Sequence, residues 1–311
     1  MSESERRRIA QLQHAFSPIA RLMDDPEITD INCNGGDGLV WVAKGGKRYP
    51  SGVTLDPLQR ERIINLAAAA AGTVCSREQP ELQCKIVEFG VRFQATLAPI
   101  TVGPAFSIRK FGQRVLTLPE YIESGVMTRE QGLTLERAVL EKKSVLIAGA
   151  TSSGKTTLLN TLLTLPWFTE SRALILEDTP EIRCTIPDRE HMLASGATTM
   201  RDLVRLSLRM APDRLIIGEV RDGAAALDLL QAGNTGHQGW LSTIHANSAV
   251  DALWRLDELT QQVTVTSQCS LIARAVDQVV FLQHENGQRQ VREIVQVDGF
   301  KDGLFLAQPI A

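Results

Sequence analysis

The stretch from Ser144 to Leu165, "SVLIAGATSSGKTTLLNTLLTL", decides the reading of this chain. Its first part, "SVLIAGA", is a β-branched, apolar run with the character of a buried strand. Its last part, "GKTTLLNTLLTL", has helical spacing. Between them Gly149 to Thr157 fits the pattern G-x-x-x-x-G-K-[ST], in the strand-before, helix-after context that this pattern requires. Gly149 and Gly154 permit close backbone approach, and the N–H groups of Ala150, Thr151, Ser152, Ser153 and the helix start point at a bound phosphate. Lys155 is placed to reach β- and γ-phosphate oxygens, Thr156 to ligate Mg²⁺, and Thr157 continues the first turn.

Working outward, continuous apolar runs alternate with helical patterns on both sides. "TREQGLTLERAVLEKK" precedes the loop, and "RALILED", "TTMRDLVRLSLRM", "RLIIGEV", "AAALDLLQA" and "GWLSTIHA" follow it. This rhythm predicts a parallel sheet covered on both faces, with hairpin strands in "DQVVFLQHENGQRQVREIVQVDG". Residues 1–111 read differently. A helix over residues 5–23, short β-type runs around Gly-rich turns, a helix from Asp56-Pro57 to Gly72, and the runs "KIVEFGVRFQATLAPI" and "AFSIRKF" predict a smaller α+β domain. Residues 112–128 have the weakest periodicity and read as a linker, leaving 129–311 as the α/β domain.

A usual phosphate-loop enzyme has a second strand alongside the cradle that ends in a carboxylate for Mg²⁺ or its water. "LIIGEV" has that form, with Gly218 where many such strands carry aspartate, so Glu219 is the candidate acid. "LILEDTPEI" places Glu177 and Asp178 at another strand end and Glu181 three residues on. Taken alone that stretch would be a solvated turn; beside a phosphate loop it becomes a second acidic candidate, because open α/β sheets bind ligands at the carboxyl ends of strands.

Composition bounds the rest. The chain has 311 residues, 43% hydrophobic and 22% charged, enough for two cores. A formal charge of −3 and a pI near 6.0 provide no global basic field, and aromatics are only 5%, so direct sequence-specific nucleic-acid binding is not expected. Five cysteines without a C-x-x-C pair read as reduced structural thiols of a cytosolic protein. The charged start "MSESERRRIAQLQHAF" lacks a signal-peptide core, and no apolar run approaches a membrane span. Any membrane association is therefore expected to be peripheral or through partners.

The set "GATSSGKTT", "LILEDTPEI", "LRMAPDRLIIGEVRD" and "NTGHQGWLSTIHANS" resembles the secretion ATPase superfamily, the hexameric motors of type II and type IV secretion, pilus assembly and conjugal transfer. It looks most like the compact conjugal-transfer and type IV secretion branch. The resemblance spans essentially the whole chain, including "GVRFQATLAPITVGPAFSIRKF".

What it implies is a RecA-like P-loop NTPase domain after a smaller α+β domain, ATP and Mg²⁺ as ligands, a homo-hexameric ring, and docking on inner-membrane secretion or conjugation components. By the same resemblance Gly149 to Thr157 is the Walker A loop, Glu177 to Glu181 an acidic box, and Glu219 the Walker B glutamate. Either Glu177 or Glu219 would serve as general base. His245 is implied as a γ-phosphate sensor and His237 as scaffolding. Arg92 in "GVRFQ" and Arg109 in "SIRKF" match arginines that close on nucleotide. Asp178, Glu181, Arg209 and Arg221 fall at supporting or subunit-interface positions. The absence of paired C-x-x-C motifs argues against the zinc-binding type II branch, and the alanines of "GAAALDLL" replace an acid that many relatives carry. The alternatives are a pilus assembly or retraction motor, a DNA-stimulated RecA-type translocase, and a nucleotide-gated scaffold without turnover.

Overall fold

The structure, a computed structural model, describes residues 3–45, 47–110, 115–168, 170–285 and 288–311. The chain divides into two compact units, Met1–Arg114 and Val115–Ala311.

The first unit contains α1 (Glu3–Ala15), α2 (Ala20–Asp24), β1 (Ile28–Cys33), β2 (Leu39–Lys44), β3 (Lys47–Thr54), α3 (Pro57–Ala70), β4 (Glu81–Ile86), β5 (Val91–Thr96) and β6 (Ala105–Lys110). Its strands form one antiparallel sheet in the order β3-β2-β1-β6-β5-β4. Alternation along β5 and β6 sends Val91, Phe93, Ala95, Phe106 and Ile108 into a core shared with Leu12 of α1 and Ile63, Ile64 and Ala67 of α3. The alternate positions place Arg92 opposite Arg109 in the β5–β6 register. Helix α3 begins as its sequence predicts. Asp56 and Gln59 form a reciprocal capping box, with Pro57 in the first turn.

The second unit holds α4 (Leu118–Glu123), α5 (Arg129–Leu140), β7 (Val145–Gly149), α6 (Lys155–Leu162), β8 (Ala173–Glu177), β9 (Arg189–Leu193), α7 (Met200–Ser207), β10 (Arg214–Ile217), α8 (Gly223–Asn234), β11 (Leu241–Ile244), α9 (Ala249–Thr260), α10 (Cys269–Ala275), β12 (Gln278–Glu285), β13 (Gln288–Lys301) and β14 (Leu304–Pro309). The sheet order is β14-β13-β12-β7-β11-β10-β8-β9. β12, β7, β11, β10, β8 and β9 are parallel to their neighbours, and the last two strands add antiparallel pairs. β7, β8, β10 and β11 are buried on both faces. Val145 and Ile147 join one core with α4, α5 and α6, while Leu146 and Ala148 join another with α7 to α10. This is the α/β architecture expected for a RecA-like domain.

Two features differ from the sequence reading. Of the segment read as a linker, residues 112–114 lie outside the described residues. The rest belongs to the second unit, where α4 is capped by a Thr117–Glu120 box and buries Leu118 and Tyr121. A six-residue helix is too short to show a period, and only its cap, T-x-x-E with Pro119, marks it. β11, the strand between His237 and His245, is central, between β7 and β10. The strand carrying Glu219 is therefore not the immediate neighbour of β7.

Candidate functional site

The carboxyl ends of β7, β11, β10 and β8 lie side by side, so whatever follows them in sequence converges. After β7 the backbone turns through left-handed conformations at Ser152 (φ 63°) and Gly154 (φ 101°) before α6 starts, without a side-chain cap. A Cβ on Gly149 would sit 2.4 Å from the Leu282 carbonyl oxygen and 2.6 Å from Ser153 Oγ, so only glycine fits there. Lys155 is buried and curls back into the loop. Its ammonium donates to the Gly149 and Ala150 carbonyls, each at 2.9 Å. Ser153 Oγ is buried in the same loop with no hydrogen-bond partner. An unpaired hydroxyl, a buried lysine held by two loop carbonyls and an uncapped helix start form a donor set that fits a phosphate group.

The lysine connects to the neighbouring strand ends. Its Nζ lies 3.3 Å from His245 Nδ1, just past β11, and His245 Nε2 lies 3.1 Å from Glu219 Oε1, just past β10. An ammonium only donates, so Nδ1 accepts and Nε2 carries the proton that it gives to Glu219. Burial first, and then the Lys155 charge, hold the His245 pKa below its ordinary value, against the pull of Glu219. Burial likewise lowers the Lys155 pKa to about 8, with Glu219 opposing the shift and Arg221 adding to it. Arg221 donates to Glu219 Oε2 at 2.8 Å and stands 4.0 Å from Asp178. The interposed β11 thus supplies the histidine that spans the gap between lysine and glutamate.

Glu177, at the end of β8, is placed differently. Its side chain is 2% exposed, and Oε1 accepts from the backbone N–H groups of Glu181 (2.9 Å) and Ile182 (2.8 Å). Oε2 is buried without a hydrogen-bond partner, 3.8 Å from His191 Nδ1. Gly218 makes the space: a Cβ there would approach Glu177 Cγ to 3.2 Å. The loop after Glu177 is also tied to α6, because Asn160 donates to the Glu181 carbonyl and accepts from the Arg183 N–H. Asn160 was not singled out in sequence, although a polar residue inside "LLNTLL" is the signal that would have found it.

Other sequence candidates lie elsewhere. Thr156 and Thr157 occupy the first turn of α6, half-buried. His237 precedes β11 and so stands at the opposite end of that strand from His245. Arg209 is exposed beyond α7, while its neighbours Arg201 and Arg205 both donate to Asp228 of α8. Arg92 and Arg109 belong to the first unit. All five cysteines are buried and unpaired, with burial raising the thiols of Cys33 and Cys84 to about 11. Among the described residues no cluster of three His, Cys, Asp or Glu side chains suits a metal, and no helix is long and apolar enough to cross a membrane.

A family profile described as type II/IV secretion system protein matches residues 63–299. The probable conjugal transfer protein TrbB of Sinorhizobium fredii is 35% identical over 305 residues, covering 97% of this chain and 93% of that protein. The type IV secretion system protein PtlH of Bordetella pertussis is 31% identical over 322 residues, covering 89% of this chain and 91% of its own. The crystal structure of the Legionella pneumophila ATPase DotB shares the fold, with a TM-score of 0.66 at 18% identity over 89% of this chain and 79% of that one. A glycine loop with its lysine, a histidine after β11 and a glutamate after β10 therefore stand in a chain that belongs to the type II/IV secretion system protein family.

Proposed function

We propose that this chain hydrolyses ATP to ADP and phosphate and that the reaction powers a type IV secretion or conjugal-transfer machine, with the chain acting as one subunit of a homo-hexameric ring. The observation that carries the proposal is the unbroken path Lys155–His245–Glu219 beside an uncapped phosphate loop. The relative at 35% identity over nearly the whole chain, a probable conjugal transfer protein, supports the physiological setting.

In this reading Lys155 exchanges its two carbonyl partners for β- and γ-phosphate oxygens, and Ser153 Oγ gains the partner it lacks. Thr156 and Glu219 would hold Mg²⁺, which neutralises charge on the β- and γ-oxygens when bound. Glu219 orients the attacking water or accepts its proton. His245 would turn its Nε2–H from Glu219 toward the γ-phosphate and sense the loss of that group. Glu177 shapes the loop through Glu181 and assists from there. Arg92 and Arg109 bring positive charge from a first unit, of this copy or a neighbouring one. Docking on inner-membrane components would localise the motor.

Phosphate release by purified protein, with and without DNA, is the test. The Lys155→Ala variant should lose turnover at least ~10²-fold, the loss of one or two charge-assisted bonds at the reacting phosphate. Wild-type turnover in that variant refutes the site. Release only with DNA favours a translocase, and nucleotide binding with no release favours a scaffold. Sedimentation with a non-hydrolysable ATP analogue should show a ring, and persistent monomers at micromolar concentration would refute the hexamer.

A further inference from the structure

Leu282 of β12 pairs with Gly149 at the end of β7, so the β12–β13 hairpin runs on past the phosphate loop. On the returning strand, Arg289 pairs with His284 and lies along the outside of that loop. Its Nε–H donates to the Ser152 carbonyl at 3.2 Å. Its Cδ is 3.4 Å, and its Nε 3.9 Å, from where a Cβ on Gly154 would stand. The residue it grips is the loop's only non-glycine position with positive φ, a conformation that is unfavourable for a serine. The guanidinium charge also reaches the buried Tyr121 hydroxyl. Burial raises that group to about 12, while Arg289 and a bond to Thr161 pull it down.

We infer that Arg289 is a positioning residue for the phosphate loop, in which the Nε–H pins the left-handed Ser152 peptide and so lets the C-terminal hairpin set the shape of the nucleotide cradle. The inference rests on the nucleotide-site reading given above, but the strut itself is a property of the protein without ligand. Arg289 lies 137 residues from Ser152, and sequence spacing alone carries no sign of the pair. The first strand of the hairpin is hydrogen-bonded to β7, so a movement of the C-terminal strands would pass directly to the loop.

Two variants separate an N–H strut from a simple positive charge. Arg289→Gln keeps an N–H donor at the same bond position as Nε but removes the charge, and Arg289→Met removes both while keeping the length. Arg289 is exposed, so both should fold, which a thermal melt checks.

Two measurements on the full chain then follow. In hydrogen exchange without nucleotide, amides of residues 150–156 should exchange about 5- to 10-fold faster in Arg289→Met than in wild type, a single hydrogen bond's worth. Arg289→Gln should stay near wild type. In steady-state hydrolysis, Arg289→Met should raise KM for ATP about 5-fold with kcat within about 2-fold, again with Arg289→Gln near wild type. Equal impairment of both variants would mean that charge matters and would overturn the strut, as would wild-type exchange in Arg289→Met. If wild type binds no ADP while the exchange pattern holds, the nucleotide reading fails and the strut stands.

Discussion

β8 and β10 are adjacent strands of one sheet, and each delivers a glutamate near its carboxyl end into very different surroundings. Glu177 is 2% exposed and spends one oxygen on the backbone of its own loop. Glu219 is 17% exposed and holds two side chains, Arg221 and His245, the second of which connects it to Lys155. The same residue type, one strand apart, is thus a loop anchor in one case and the end of the Lys155–His245–Glu219 path in the other. What separates them is the next strand over: the histidine past β11 bonds Glu219 at 3.1 Å and continues to Lys155, whereas His191 of the edge strand β9 stands 3.8 Å from the buried Glu177.

The largest effect should separate the two in catalysis. Glu219→Gln should lower kcat for ATP hydrolysis by ~10² to 10⁴-fold, the range for loss of a positioned acid–base group. Glu177→Gln should lower it less. Phosphate-release kinetics decide, and a reversed order would make Glu177 the general base and Glu219 its support.

Stability should split the opposite way. Glu177→Ala strips the Ile182 N–H of its acceptor and should reduce unfolding free energy by about 1–3 kcal/mol, whereas Glu219→Ala, losing partly exposed ion pairs, should change it by less than about 1 kcal/mol. Gly218→Asp restores the acid common at that position in other phosphate-loop proteins and drives its Cβ into Glu177, with an expected penalty of about 1–3 kcal/mol. Combining it with Glu177→Ala should cost less than the sum of the two, because the clash partner is gone. Urea melts of the four proteins test this; strict additivity would mean that Gly218 does not make room for Glu177.

The smallest effect concerns pH. Lys155 has a pKa near 8 in this structure, and phosphate binding favours its charged form. Below about 8 the ammonium is already present; above it, binding must take up a proton, so ADP affinity should fall as pH rises, by at most about tenfold per pH unit. Glu219 holds the lysine pKa up, so Glu219→Gln should move the fall to lower pH, while Glu177→Gln should leave it in place. Calorimetric titration with ADP and a chelator between pH 6.5 and 9.5 measures the inflection, and an unmoved inflection in Glu219→Gln would break the proposed path.

The sequence by itself determined the elements whose signals are local. Gly149 to Thr157 was legible because a strand, a glycine turn and a helix must be contiguous to form the cradle, and α3 was legible because its cap and stop lie at its own ends. The alternation of apolar runs and helices fixed an α/β class, since strands buried on both faces carry no polar alternation. Among the short elements, β7, β8, β10 and β11 were legible by their continuous apolar runs, but four others were not. α4, β9, α10 and β14 have between five and seven residues, too few for periodicity to separate strand, helix and turn.

Strand order was decided only by the tertiary structure, and with it the site. Nothing local in "TIHANS" says that β11 lies between β7 and β10, yet that insertion makes His245 the link from Lys155 to Glu219. Nor does "LILEDTPEI" say that its first glutamate turns inward to close its own loop, or "NGQRQ" that its arginine reaches Ser152. The physical reason is the same in each case. Side-chain identity and backbone period are encoded along the chain, whereas the neighbour a side chain meets depends on how distant strands pair, and that pairing is settled by the fit of two whole sheet faces against their helices.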